Sequence, residues 1–183
     1  MIFTELPIKG LVLIQPRIFE DDRGYFFESF NKDEMKQNGI IEEFVQDNQS
    51  CSKKNVLRGL HYQVPPHAQG KLVRVITGSV LDVAVDIRKN SPFFGKYYSI
   101  ILDDKEKKML YIPPGFAHGF VSLEDNTVFS YKCTALYHPA SERTILWNDS
   151  HVNIDWGVFD PIIAKKDFEG DSFAKYSLFP QFE

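Results

Sequence analysis

Short runs of β-branched and aromatic residues recur along most of the chain, and polar or glycine-containing turns separate them at close intervals. The run Val80–Ile87 alternates apolar residues with small or acidic ones, which is the period of a strand with two unlike faces. It follows the run Lys71–Thr77 across Gly78-Ser79, a sequence that predicts a hairpin. Many such strands with almost no helix predict an all-β fold, either an antiparallel barrel or a jelly roll.

The first part of the chain carries less regular patterns. Leu11–Phe19 and Gly24–Phe30 predict a strand pair joined by a polar turn. Asn31 is a suitable N-cap for a short helix that follows it. Glu43–Ser52 predicts a strand with polar residues on both faces, so it either lines a wet pocket or lies at a sheet edge.

Length, charge and cysteine content limit the class of protein. A chain of 183 residues with 43% hydrophobic residues is expected to form one domain, residues 1–183. A formal net charge of −4 argues against a nucleic-acid partner. No apolar run reaches the roughly 20 residues of a membrane span, so we expect no membrane contact and a cytoplasmic location. Cys51 and Cys133 are expected to be unpaired thiols.

The segment RGLHYQ, residues 58–63, combines a base that titrates near neutral pH with a cation suited to phosphate. Arg58 and His61 are three residues apart, so a regular strand would direct them to opposite faces. Either Gly59 marks a bulge that brings them to one side, or Arg58 reaches the site around an edge or from behind.

The segment PPGFAH, residues 113–118, resembles a motif of the cupin family in which a proline-glycine turn delivers a histidine into a barrel. Metal-binding cupins add two alternate histidines and a glutamate, and this chain has no HxH motif. His61 and His67 are separated by a segment with two prolines, whereas a metal site needs three or four ligands in fixed geometry. We therefore expect no metal and no other cofactor, with His118 hydrogen-bonding a ligand.

Seven sequence blocks together resemble the dTDP-4-dehydrorhamnose 3,5-epimerase family in order and spacing: RGYFFE (23–28), QDN (46–48), VLRGLHYQ (56–63), QGKLVR (69–74), PGFAHGF (114–120), YK (131–132) and WND (147–149). The resemblance implies a metal-free, cupin-type antiparallel jelly roll or β-barrel with short peripheral helices. It also implies a homodimer with the N-terminal strands, about residues 1–30, at the interface. The C-terminal tail, about residues 140–183, is expected to pack over the barrel.

The implied reaction converts dTDP-4-dehydro-6-deoxy-D-glucose to dTDP-4-dehydro-L-rhamnose by inversion at C3 and C5. Inversion beside a ketone requires a base on one face, an acid on the other and a group that stabilises the enolate. By resemblance, His61 is the base and Tyr131 is the acid. Asp167 is the implied carboxylate that orients His61, with Asp82 and Asp86 as alternative partners.

The resemblance also implies which residues hold the substrate. Lys71 is expected at the ketone oxygen, and Lys166 could share that task. Tyr137 is the expected stacking platform for thymine. The other expected contacts to the dTDP-sugar substrate are Arg23, Glu28, Gln46, Asn48, Arg58, His118 and Glu142.

Three alternative functions remain open at this point. The first is an epimerase that acts on one carbon only or on another 4-keto nucleotide sugar. The second is a cupin that binds a nucleotide sugar without catalysis, which the joint presence of His61, Tyr131 and Lys71 disfavours. The third is a metal-dependent cupin enzyme.

Overall fold

The computed structural model describes all 183 residues, and most of its strands form two antiparallel sheets. Across the first sheet, in order, lie β1 (Ile2–Glu5), β2 (Val12–Gln15), β10 (Met109–Ile112), β7 (Lys71–Thr77), β12 (Thr127–Cys133) and β5 (Gln46–Ser52). Across the second lie β13 (Glu142–Thr144), β6 (Val56–Gln63), β11 (Phe116–Ser122), β8 (Ser79–Asp86) and β9 (Tyr97–Asp103), with β14 (Ile162–Ile163) parallel to β6.

The remaining elements are small. They are the hairpin β3 (Phe19–Asp21) and β4 (Gly24–Phe26), the helices α1 (Lys32–Gln37), α2 (Lys165–Phe168) and α3 (Phe173–Leu178), and a 3₁₀ turn at Pro139–Ser141. The predicted all-β jelly roll with short peripheral helices is confirmed. No helix has the length and apolar character needed to cross a membrane.

The inner faces of the two sheets enclose an apolar cluster, because side chains alternate between the two faces along the regular parts of the strands. Its members come from both sheets and include Val73, Val75, Val80, Ala84, Phe120 and Phe129. Polar residues that share these inward faces, such as Asp82 and His118, are therefore carried into the interior.

The tail covers the outer face of the second sheet. Leu57, Leu60 and Val83 project outward from this sheet and pack with Trp156 and Phe173 of the tail. The apolar residues of the tail are spaced irregularly in the sequence because they pack against the surface of a sheet and do not themselves form a regular strand.

The outer face of the first sheet is covered by α1 and the loop after it. Met35 and Ile40 pack with Ile14 and Met109 of the sheet. The expected cap is present, since Oδ1 of Asn31 accepts the backbone N–H of Asp33 and of Glu34.

Two predicted strand pairings are wrong. Lys71–Thr77 and Ser79–Asp86 do not form a hairpin, because β7 lies in the first sheet and β8 in the second. Gly78 therefore turns a corner between sheets. Nor does Leu11–Phe19 pair with Gly24–Phe30: β2 pairs with β1 and β10, and only Phe19–Phe26 forms a hairpin. Alternation reports which residues of a strand share a face but not which strand is the neighbour.

Candidate active site

A cavity of about 610 Å³ opens between the two sheets. All of the predicted site residues except Arg23 and Glu28 line it, namely Gln46, Asn48, Arg58, His61, Lys71, His118, Tyr131, Tyr137, Glu142, Lys166 and Asp167. Both interpretations of the polar strand Glu43–Ser52 are correct. β5 is an edge strand of the first sheet, and its inward-facing residues also line the cavity.

A bulge in β6 brings Arg58 and His61 to the same side. His61 pairs with His118 on β11, but Arg58 pairs with Phe120, so three steps on β6 oppose two steps on β11. The bulge requires glycine at position 59. Any other residue would place its Cβ only 2.5 Å from Cα of Gly119, which is a steric clash. The φ of Gly59, +140°, is also in a region that favours glycine. The bulge alternative from the sequence is therefore the one the structure adopts.

His61 and Asp167 form a close pair. Nε2 of His61 lies 2.7 Å from Oδ1 of Asp167, and the backbone N–H of Gly59 donates to Oδ2 at 3.3 Å. Burial tends to raise the pKa of Asp167, but these contacts and the charge of His61 outweigh that effect and hold the pKa below its ordinary value. The carboxylate therefore fixes the tautomer and orientation of His61 and leaves Nδ1 free for the cavity.

The two alternative partners of His61 are engaged elsewhere. Oδ2 of Asp82 lies 2.9 Å from Nε2 of His118. Asp86 accepts hydrogen bonds from the side chains of Arg88 and Ser91. Neither carboxylate contacts His61.

Tyr131 enters the cavity from the sheet opposite His61. It lies on β12 in the first sheet, where it pairs with Asn48 and Val73, whereas His61 lies on β6 in the second. Burial raises the pKa of the Tyr131 phenol above its ordinary value. The hydroxyl therefore keeps its proton at neutral pH, as a proton donor must.

Lys71 has a buried amine without a hydrogen-bond partner in the chain. Its residue is 8% exposed, and its neighbour across the sheet is Cys133. Burial lowers the pKa of the Lys71 ammonium, and nearby Cys133, Glu142 and Asp82 oppose that effect. A buried, unpaired ammonium in a cavity is suited to an oxygen that gains negative charge.

The mouth of the cavity carries a connected polar network. Nζ of Lys166 lies 3.1 Å from Oε1 of Glu142, and the Tyr137 hydroxyl donates to Oε2 of the same carboxylate at 3.0 Å. The backbone N–H of Tyr137 donates to Oε1 of Gln46, and Nε2 of Gln46 donates to Asn48. The expected thymine platform, Tyr137, is thus held by two hydrogen bonds, one from its hydroxyl and one from its backbone N–H. The Lys166 side chain is 56% exposed.

Arg23 and Glu28 are the predicted residues that the cavity does not bring together with the others. The Arg23 side chain is 90% exposed and pairs with Asp21 within the β3–β4 hairpin. Glu28 accepts a hydrogen bond from Asn31 at the surface. Within one chain, neither side chain reaches His61.

The arrangement inside the cavity agrees with a comparison against protein families. The model that describes dTDP-4-dehydrorhamnose 3,5-epimerase matches residues 5–175 of the chain. The chain belongs to this epimerase family.

Individual members of the epimerase family show the same relationship along the whole chain. A dTDP-4-dehydrorhamnose 3,5-epimerase from Shigella flexneri is 49% identical over 180 residues, which cover 98% of each chain. The crystal structure of an epimerase from Legionella pneumophila Philadelphia 1 in complex with dTDP-4-keto-L-rhamnose is 43% identical, with a TM-score of 0.93 over 99% of this chain and 98% of that one. A 3′-monoepimerase from Streptomyces bikiniensis is 29% identical, with a TM-score of 0.90 over 95% and 89%.

Several cavity residues of this epimerase were not predicted. Gln63 and Gln69 line the cavity, and their side chains hold the loop before Tyr137 through the carbonyl groups of Leu136 and Ala135. Both lie in the sequence blocks that carry the family resemblance, which was an available signal. The wall formed by residues 162–164 had none, because its position depends on the pairing of β14 with β6.

Metal independence stays a prediction, motivated by the missing HxH motif. No group of three His, Cys, Asp or Glu side chains converges in the fold. We expect dialysis against a strong chelator to leave the turnover rate unchanged, with a known metalloenzyme treated in parallel as the control. A rate that falls and recovers on addition of a divalent ion would contradict this prediction.

Proposed function

We propose that this protein catalyses the 3,5-epimerisation of dTDP-4-dehydro-6-deoxy-D-glucose to dTDP-4-dehydro-L-rhamnose. The observation that carries the proposal is the placement of His61 and Tyr131 on opposed sheets around one cavity. A sugar ring bound between them has a base at one face and an acid at the other, which is what inversion requires. The names of the relatives and the sugar bound in the Legionella structure support the substrate.

In this reaction His61 removes the proton from C3 or C5, and the electron pair moves onto the C4 ketone oxygen. Asp167 stabilises the imidazolium that forms. Tyr131 then donates its proton to the opposite face of the carbon as the ketone re-forms. His61 releases the proton it removed to solvent, and solvent returns a proton to the Tyr131 phenolate. Two such cycles convert the substrate to the product without any net gain or loss of atoms.

The remaining polar residues hold the nucleotide. Tyr137 stacks on thymine at the mouth, where Glu142 positions its ring. Arg58 and Lys166 bind the diphosphate, since both lie on the cavity wall and Lys166 is 56% exposed. Lys166 is therefore assigned to the diphosphate and not to the ketone oxygen.

The reaction is tested by incubating the protein with the 4-keto sugar nucleotide in deuterated water and counting deuterons in the product. Two deuterons, at C3 and C5, are expected. One deuteron would favour a single-carbon epimerase, the activity named for the Streptomyces bikiniensis relative. Binding of the nucleotide sugar without any deuterium incorporation would show a non-catalytic protein.

We propose that two chains form a dimer in which each β3–β4 hairpin completes the site of the partner. Arg23 lies on this hairpin, and its neighbours Phe19, Tyr25 and Phe26 are 50–68% exposed. Exposed aromatic residues of this kind are typical of an interaction surface. An isologous pairing would build two equivalent sites, each with His61 of one chain and Arg23 of the other.

Subunit complementation tests this exchange. We expect Arg23→Ala and His61→Ala chains to be poorly active alone, and their mixed dimer to recover about half of the wild-type activity, because one of its two sites is intact. A mixture of His61→Ala and Tyr131→Phe chains is the matched control and should recover nothing, since both residues belong to the same chain's site. Failure of the first pair in verified mixed dimers would show that each chain completes its own site.

A further inference from the structure

One buried glutamine side chain holds the chain on both sides of Tyr137. Gln63 is the last residue of β6, two residues after His61, and is 4% exposed. Its Oε1 accepts the backbone N–H of His138 at 2.8 Å, and its Nε2 donates to the carbonyl of Leu136 at 3.2 Å. Since Leu136 and His138 flank Tyr137 in the sequence, a single amide group holds the chain just before and just after this residue.

The amide of Gln63 can make these contacts in one orientation only. Nε2 also donates to the carbonyl of His67 at 2.8 Å, which lies in the loop between β6 and β7. The amide nitrogen therefore faces two carbonyl groups while the oxygen faces an N–H, and a rotation by 180° would oppose donor to donor and acceptor to acceptor. A buried amide is stable only with such partners, so Gln63 fixes two loops relative to β6.

The two loops are also joined to each other. Nε2 of Gln69 donates to the carbonyl of Ala135 at 2.7 Å. The rings of His67 and His138 stack, with their centroids 3.8 Å apart and their planes at 12°. The platform loop, residues 134–138, is thus attached at several successive residues to the loop that precedes β7.

Apolar packing contributes little to the position of the platform loop. Leu136 is 65% exposed and Tyr137 is 51% exposed, so hydrogen bonds supply most of what holds the loop in one conformation. A binding surface that is already ordered avoids the entropic cost of ordering it when the ligand arrives. Loss of these hydrogen bonds would transfer that cost to the binding step.

We propose that Gln63 and Gln69 are positioning residues that keep the Tyr137 ring ordered for the base of the nucleotide. This inference rests on the proposed function, in which Tyr137 stacks on thymine. The two glutamines act through the platform loop and not on the reacting carbon, because His61 is oriented separately by Asp167. They therefore contribute to affinity for the nucleotide and not to the rate of proton transfer.

Calorimetric titration with dTDP tests the proposal without turnover. Gln63→Met keeps the approximate length of the side chain and removes the amide. We expect it to raise the Kd for dTDP about 10- to 100-fold, because two of the lost bonds flank Tyr137 and each contributes up to about tenfold. Gln69→Met loses one bond and should raise Kd about three- to tenfold. In both variants KM should rise while kcat stays within about threefold of the wild-type value.

The same substitution at Gln181 is the matched control. The amide of Gln181 also donates to a backbone carbonyl, that of Phe179, but it lies on the surface of the tail outside the cavity. Gln181→Met is expected to leave the Kd for dTDP unchanged.

A double-mutant cycle distinguishes action through Tyr137 from a general disturbance of the fold. Tyr137→Ala removes the ring that the loop presents. In this background Gln63→Met should raise the Kd for dTDP by less than about twofold, because there is no platform left to order. A disturbance that did not act through Tyr137 would multiply the Kd by the same factor in both backgrounds.

Wild-type dTDP affinity in folded Gln63→Met, a loss confined to kcat, or equal factors in the two backgrounds would overturn the proposal. Gln69 is half-buried, and unchanged dTDP affinity in Gln69→Met would overturn it even if Gln63→Met does not fold. A wild-type protein that binds no dTDP would contradict both this inference and the proposed function. A wild-type protein that binds dTDP but incorporates no deuterium would contradict epimerisation alone.

Discussion

Replacing His61 with alanine is expected to reduce epimerisation about 10²–10⁴-fold, the usual contribution of a positioned acid or base. Exchange of the C3 and C5 protons with solvent should be lost to the same extent. The reason is geometric: Asp167 orients the His61 ring at 2.7 Å, while the neighbouring His118 ring is held by Asp82. Besides His61 and His118, no histidine lines the cavity.

The measurement is deuterium incorporation from deuterated water, followed by NMR of the sugar ring. His151→Ala is a suitable control, because His151 is an exposed histidine outside the cavity and should not alter the rate. If His61→Ala retained proton exchange at the wild-type rate, a different residue would have to be the base.

Replacing Tyr131 with phenylalanine is expected to separate the two halves of the reaction. Removal of the hydroxyl leaves His61 and Asp167 intact, so deprotonation continues, but no acid remains on the opposite face. Net epimerisation should therefore fall about 10²–10⁴-fold, while solvent exchange stays within about tenfold of the wild-type rate. The expected product is substrate that carries deuterium at its original configuration.

The phenol suits this role because burial raises its pKa and keeps it protonated. Tyr98→Phe provides the control, since Tyr98 packs against the same inner cluster but does not line the cavity. Parallel loss of exchange and epimerisation in Tyr131→Phe would contradict the assignment of base and acid to separate faces.

Local pattern was sufficient for the class of fold and for dividing the residues of a strand into two faces. Alternation along Val80–Ile87 placed Asp82 on the same face as Val80 and Ala84, and the structure has this arrangement. The pairing of strands was not predicted correctly, because alternation is a property of a single strand. β7 and β8 are adjacent in sequence across Gly78, yet a jelly roll places them in different sheets.

Site residues from one sequence block were predicted more readily than contacts between blocks. The segment RGLHYQ pointed to Arg58 and His61 by residue type, but two conformations of the strand remained possible. The bulge is decided by the close approach of Gly59 to Gly119, a contact between strands that are far apart in sequence. Backbone packing at that point determines that both side chains face the cavity.

The residue types alone specify which chemical groups are available: an imidazole, a phenol, a lysine amine and carboxylates on strands whose residues alternate between two faces. Which carboxylate pairs with which histidine depends on contacts between distant parts of the chain. Asp167 is 106 residues from His61, and Asp82 is 36 residues from His118. Such pairings depend on the order of strands across a sheet and on where the tail folds back. They are set by the burial of the whole chain, so no local pattern encodes them.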